Sequence, residues 1–269
     1  MEGKTLKPDA SPWTGIHQTA VIHEEAELAE DVSVGPFTIV GPGVVIGPGT
    51  EIGSHVLIER DTIVGRDCRI HHGAVLGTEP QDLKFEGENT KLVVGDRTVI
   101  REYATLNRGT RAAGRTVVGS DCLLMAYVHI AHDCEIGNHV ILSNAVNMGG
   151  HVTIRDWAIV GGVTAIHQFV RIGEHAFVGG ASRVAKDVPP FVRAAGNPLE
   201  MAGLNSVGLR RRGFGEEVRK ELKRAYRLFF TSEHNVTQAI AKARAELPDL
   251  TEVERFIAFF EETERGVTL

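Results

Sequence analysis

The stretch VSVGPFTIVGPGVVIGPGTEIGSHVLI, Val32 to Ile58, repeats itself every six residues. Val34, Val40, Ile46, Ile52 and Ile58 share one phase, and Val32, Thr38, Val44, Thr50 and Val56 stand two residues ahead of them. A strand sets residues two apart on one face, so a large and a small column both point inward. Outward from this stretch the large column begins at Ile16, Ile22 and Leu28 and continues through Val64 and Ile70 to Leu76. It returns at Val94, Ile100 and Leu106, and again from Val118 through Leu124, Ile130, Ile136, Leu142, Met148, Ile154, Val160, Ile166, Ile172 and Val178 to Val184. Short strands with tight corners at this period describe a parallel β-helix, three hexapeptides closing one triangular coil. Glycine often follows the large residue, as at Gly35, Gly41, Gly47 and Gly53, which suits a corner needing unusual backbone angles.

Where the columns lapse, the chain must leave the prism. Residues 77–92 and 109–116 read as excursions, and loops on a rigid scaffold often carry function. After Pro189 and Pro190 the period ends, and from about residue 198 the pattern turns helical: GEEVRKELKRAYRLFF, NVTQAIAKARAEL and LTEVERFIAFFEETERG. The expected organisation is a β-helix domain over residues 1–196 and an α-helical domain over 197–269.

Composition narrows the class. The chain has 269 residues, 42% of them hydrophobic, and a formal charge of -6, which speaks against a general nucleic-acid binder. No window approaches the roughly 20 apolar residues of a membrane span, and MEGKTLKPDASPW lacks the apolar stretch of a secretory signal. Cys68, Cys122 and Cys134 are odd in number, show no paired spacing and all fall in the small column. They read as buried hydrophobes in a reducing compartment, and a cytoplasmic enzyme without a transmembrane segment is expected.

Stacking turns the repeat into a chemical map, because residues 18 apart lie on neighbouring coils about 4.8 Å apart. Asp133 falls under His151, and His132 falls under Gly150 and then Gln168, with His167 one residue aside and His129 on the strand before. HIAHDC, MGGHV and AIHQF therefore gather on one outer edge. A histidine that titrates near neutrality takes a proton from a hydroxyl, and a neighbouring carboxylate fixes its tautomer. His132 with Asp133 offers that pair, and the unobstructed N–H of Gly150 offers a donor to a developing oxyanion. His139 and His175, in a column with Asp121 and Trp157, read as solvated surface histidines. A zinc enzyme of carbonic anhydrase type is the competing class, with His129, His151 and His167 as its three nitrogens.

The runs VGPFTIVGP, QDLK, NRGT, VGSDCLLMAYVHIAHDC, AIHQF, DVPPFV, AAGN and GLRRRGF, in order over nearly the whole chain, resemble the UDP-N-acetylglucosamine acyltransferases of lipid A biosynthesis. The resemblance implies a left-handed β-helix and a homotrimer with sites between subunits. It implies transfer of a 3-hydroxyacyl chain from acyl carrier protein to the 3-position of the UDP-amino sugar, with no cofactor or metal. In that scheme His132 is the base, Asp133 its orienting partner and Gly150 the oxyanion donor. Asp82, Lys84, His129, His151, His167 and Gln168 then surround sugar, diphosphate and acyl chain, Asn205, Arg211 and Arg212 lie near the nucleotide, and Gly180 limits acyl length. Asn205 also reads as a helix cap. Residues 209–230 carry eight Lys or Arg against three Glu, which suits an acidic carrier protein or a diphosphate. The chain departs from the family pattern at Val207, where a glutamate is common, and at Pro198, where a histidine often lines the acyl channel. NMGGHV is also unusual, and leaves a 3-amino acceptor, acylated on nitrogen, beside the 3-hydroxyl; another hexapeptide acyltransferase with a different donor or acceptor is the second alternative.

Overall fold

The computed structural model describes residues 13–268, so the reading of residues 1–12 lies outside the described part of the chain. Three sheets of nine, eight and ten strands form the sides of a triangular prism, every pairing parallel except that of the last strand of the ten-stranded sheet. Val21 pairs with Ile39, Ile39 with Leu57 and Leu57 with Val75, an 18-residue coil. Val75 then pairs with Thr105, and Thr105 with His129, so the two excursions lengthen their coils by twelve and six residues. Both insertions are multiples of six, which is why the sequence phase survives them. Strands reach further into the excursions than the lapsed columns suggest: Gly77 and Thr78 end one strand, Lys91 and Leu92 open the next, and Arg115 and Thr116 open a third.

Every member of the large column from Val34 to Val184 is at most 4% exposed. The three cysteines lie among them. Burial pushes the Cys68 and Cys122 thiols up to about 11 and that of Cys134 up to about 12, so none supplies a thiolate at neutral pH.

The role of the corner glycines differs from the sequence expectation. The left-handed backbone falls three residues after the large column, at Phe37, His55, Tyr103, Tyr127, Asp133, His139, His151 and Trp157 and at Gly43, Gly49 and Gly73, with φ near +60 to +70°. Such a φ is costly for a residue bearing a Cβ. In return the corner N–H reaches a carbonyl of the adjoining coil, as from His55 to Pro36 (3.0 Å), His139 to Ser120 (2.9 Å) and Val163 to Asn144 (2.9 Å). The glycines directly after the large column answer a different constraint, close approach: a Cβ on Gly35 would lie 2.7 Å from the Gly53 carbonyl carbon, and one on Gly41 would overlap the Glu59 carbonyl oxygen.

The last coil is closed by an antiparallel pairing of Val192–Ala195 with Glu200–Leu204 and by four helices, α1 (Ser206–Arg211), α2 (Glu216–Phe230), α3 (Val236–Glu246) and α4 (Thr251–Glu262). Leu222, Ala225 and Phe229 make the buried stripe of α2, and the Phe229 ring stacks on Phe260 of α4 at 4.1 Å. Fully buried Asp187 ties the end of the chain back to the prism: its carboxylate accepts from the Arg171 N–H (2.8 Å) and the Thr263 hydroxyl (2.6 Å), and its own N–H donates to the Gly266 carbonyl (3.0 Å).

If close stacking is what the corner glycines serve, Gly41→Ala should destabilise the protein by about 1–3 kcal/mol, the usual cost of overpacking. A thermal melt checks this, and an unchanged Tm would refute it.

Candidate active site

His132, Asp133, Gly150 and His151 meet on the edge between the nine-stranded and eight-stranded sheets. His132 and Asp133 turn the corner after the strand His129–Ile130, and Gly150 and His151 turn the same corner one coil further on. The left-handed φ of Asp133 brings its side chain back toward its neighbour, and His132 Nδ1 lies 2.8 Å from Asp133 Oδ2. A carboxylate only accepts, so Nδ1 carries the hydrogen, and in the neutral ring that leaves the lone pair on Nε2. The His132 ring lies over Gly150: a Cβ there would sit 2.5 Å from His132 Cε1 and 2.7 Å from Nε2. Among the described residues the Gly150 N–H makes no hydrogen bond.

The Asp133 side chain is wholly buried. Besides His132 it meets two donors from the second excursion, the Thr110 N–H to Oδ1 (2.8 Å) and the Thr110 hydroxyl to Oδ2 (2.7 Å), and His151 Nε2 lies 3.6 Å from Oδ2. Burial works to raise the Asp133 pKa, but the Thr110 hydroxyl, His132 and the Thr110 N–H outweigh it and hold the carboxyl below its ordinary range. Sequence reasoning misses Thr110. Its signal is a hydroxyl in NRGT that ends up buried on a loop, where no periodicity marks it.

His129 takes part from the neighbouring strand, its Nδ1 2.7 Å from the Thr105 hydroxyl. Burial, with His132 close by, pushes its pKa down. A hollow of about 300 Å³ joins His129, Thr105 and Asn147 to Tyr103, Tyr127 and Gln81 of the first excursion, so the loop of Asp82 and Lys84 reaches this side of the prism. Asp82 serves its own turn, Oδ1 accepting from the Lys84 N–H at 3.0 Å, while the Lys84 side chain is exposed. His167 and Gln168 are exposed one coil above, with Phe169 stacked on His151 at 4.6 Å.

Asn205, Arg211 and Arg212 are not brought to this edge. Buried Asn205 caps α1, accepting from the Gly208 N–H (3.1 Å) and donating to the His175 carbonyl (2.9 Å). Arg212 lies over the Trp157 ring at 5.1 Å and beside His175, on the edge between the eight-stranded and ten-stranded sheets, and Arg211 is exposed. His175, expected to be solvated, is instead half buried: burial first, then Arg212, push its pKa down to about 4. Gly180 stands on the third edge, exposed, and an added Cβ would meet the Gly162 carbonyl oxygen at 3.1 Å.

Among the described residues, the three metal-capable side chains that converge are His132, Asp133 and His151, with ligand atoms within 4.8 Å of one another, and not His129, His151 and His167. The convergent atoms are already engaged, since Asp133 Oδ2 accepts from both His132 and Thr110.

A histidine and aspartate on the outer edge of a hexapeptide-built prism, beside a bare glycine, define an acyltransferase of the hexapeptide-repeat class. The family described as bacterial transferase hexapeptide (six repeats) matches residues 25–60 and 115–150, and that described as Udp N-acetylglucosamine O-acyltransferase, domain 2, matches residues 187–268. Among curated relatives, the acyl-[acyl-carrier-protein]--UDP-N-acetylglucosamine O-acyltransferase of Myxococcus xanthus is 46% identical over 77% of this chain and 81% of its own. The protein of the same name from Chlorobaculum parvum is 57% identical over 73% and 75%. Among solved structures, the UDP-N-acetylglucosamine acyltransferase of Bacteroides fragilis superposes with a TM-score of 0.92 at 39% identity, covering 94% of this chain and 99% of that one. That of Francisella novicida gives 0.91 at 38%, covering 93% and 92%. This chain belongs to the UDP-N-acetylglucosamine O-acyltransferase family, and its prism is a left-handed parallel β-helix with a C-terminal helical region.

Proposed function

We propose that the chain transfers an acyl group from acyl carrier protein to UDP-N-acetylglucosamine, the first step of lipid A biosynthesis, with His132 as general base. The observation that carries this reading is the 2.8 Å His132–Asp133 pair lying over Gly150. The sugar 3-hydroxyl gives its proton to His132 Nε2 as its oxygen attacks the thioester carbonyl carbon. Charge gathering on the carbonyl oxygen meets the Gly150 N–H. The carbon–sulfur bond then breaks, and the carrier's thiol leaves with the proton from His132, so the ring returns to its starting state. No cofactor enters.

The remaining family residues divide by edge. His129, His151, His167, Gln168, Asp82 and Lys84 serve the sugar and acyl chain on the His132 side, and Asn205, Arg211 and Arg212 serve the nucleotide from another edge. A substrate that touches both sets lies between two chains, which is the argument for a homotrimer. Exposed apolar side chains support a covered face: Phe37, Ile39, Tyr103, Tyr127 and Val163 are 45 to 70% exposed along the nine-stranded sheet and its corner. Residues 1–196 supply the chemistry in this scheme and 197–269 the docking surface, where exposed Arg210, Arg211, Lys220, Lys223, Arg224 and Arg227 suit an acidic carrier. Three thiols held in the core fit a reducing cytoplasm. No described helix is long and apolar enough to cross a membrane.

A discharge assay with a panel of 3-hydroxyacyl carrier proteins, offered UDP-N-acetylglucosamine and its 3-amino analogue, tests the reaction. O-acylation is expected, and His132→Ala should lose about 10²- to 10⁴-fold in turnover while keeping its fold. Turnover within about threefold of wild type would remove His132 from the role of base. For the assembly, chains carrying His132→Ala and Arg212→Ala, each inactive alone, should regain activity when co-assembled. A mixture that stays inactive would refute sites shared between chains. Acyl length supplies a further check. With no side chain at Gly180 the channel accepts a long chain, and Gly180→Met should shift kcat/KM strongly toward shorter donors, since each buried methylene is worth about 0.8 kcal/mol. An unchanged ratio in an active mutant would show that Gly180 sets no limit.

A further inference from the structure

The second excursion does more than pass over the site. Its root is pinned on every side: the Thr90 hydroxyl donates to the Gly109 carbonyl (2.5 Å), the Gly109 N–H to the Lys91 carbonyl (3.2 Å) and the Arg108 N–H to the Thr78 carbonyl (3.0 Å). Asn107 Nδ2 donates to the Thr78 hydroxyl (2.9 Å) and the Glu79 carbonyl (2.8 Å). The Arg108 side chain is only 4% exposed and lies against the Phe85 ring at 5.2 Å. Buried groups of this kind hold the two excursions to each other and fix where Thr110 stands. From there both its N–H and its hydroxyl go to Asp133, one to each carboxylate oxygen.

We infer that Thr110 is a positioning residue for the transfer reaction, acting through Asp133 to hold the His132 imidazole in its working tautomer and orientation. The inference rests on the reading of His132 as base. A wholly buried carboxylate with one hydrogen bond would be free to turn about its Cβ–Cγ bond and would be costly to keep ionised. Two donors from one residue clamp both oxygens, so that Oδ2 faces His132 Nδ1. They also disperse the charge, so the His132–Asp133 pair holds an extra proton less tightly than it would without them. The charged and titratable groups around Asp133 are His132 and His151 directly, His129 beyond His132, Cys134 next to it in the chain, whose buried thiol stays protonated, and Arg115 and Glu135 across an adjoining hollow of about 310 Å³. None of them replaces the clamp, because among the described residues only Thr110 reaches both oxygens.

The test compares Thr110→Val, which keeps the shape and the backbone donor, with Thr110→Ser, which keeps the hydroxyl. In the full-length enzyme Val should lower kcat by about 10- to 100-fold, the range for orienting partners one shell out from the reacting group at metal sites. KM for both substrates should stay within about threefold. The acid limb of the kcat profile should move to higher pH in Val, because the pair then binds its proton more tightly, and Ser should restore both kcat and the limb. A merely structural hydroxyl would lower Tm and leave the pH limb in place. Independently of turnover, NMR titration of the His132 ring should show the pair titrating at higher pH in Val and as in wild type in Ser. An unmoved titration, or kcat in Val within about threefold of wild type, overturns the inference. Failure of the underlying reading looks different: His132→Ala would stay active, whatever Thr110 does.

Discussion

Everything in this molecule hangs on the main-chain hydrogen bond between coils. Each two-residue strand donates and accepts across one coil spacing, as from Val21 N to Thr38 O and Leu57 N to Ala74 O, and the corners join the same ladder. Because the bonds are between backbones, the side chains are left to choose inside and outside. The inside choice is narrow, since a coil of six-residue sides leaves room for one large and one small residue per side. The outside choice is nearly unconstrained. That freedom is what lets His129, His132, Asp133 and His151 sit on one edge without weakening the core beneath them.

The same ladder explains why so much is legible in the sequence. A strict period of 18 turns sequence distance into spatial position, so the meeting of His132 with Gly150, and of Asp133 with His151, follows from spacing alone. Two things escape it. Spacing suggests backbone freedom for glycines such as Gly35 and Gly41, whereas the left-handed φ falls further round the corner, on residues such as Phe37, Gly43 and Trp157, and Gly35 and Gly41 let the coils touch. A repeat reveals which positions are special and leaves open which physical reason makes them so. Thr110 escapes for a different cause: it lies where the chain leaves the ladder, and its place is set by Gly109, Thr90 and Arg108 rather than by a period.

The groupings around Asp133 and around His175 also differ in kind. Around Asp133 a buried negative charge is surrounded by donors, which keeps it ionised beside an imidazole. Around His175 a half-buried imidazole faces the Arg212 guanidinium and the Trp157 and Phe191 rings, and burial with Arg212 keeps it neutral. In the proposed scheme the first edge handles protons and the second presents fixed positive charge. The half-buried histidine there, its pKa pushed down to about 4, adds no variable charge near neutrality.

The antiparallel closure by Glu200–Leu204 has a consequence beyond the domain it begins. Parallel strands stacked about 4.8 Å apart, with identical spacing coil after coil, share their arrangement with the spine of an amyloid fibril. An open end of such a stack is a template onto which another chain could add strands without limit. Here the last parallel strand, Val192–Ala195, has its free side taken by a strand of reversed direction, and α2 packs against that strand, its Tyr226 hydroxyl hydrogen-bonded to Met201 and Gly203. The helical region therefore works as a terminator: it converts a geometry that could polymerise into one of fixed length.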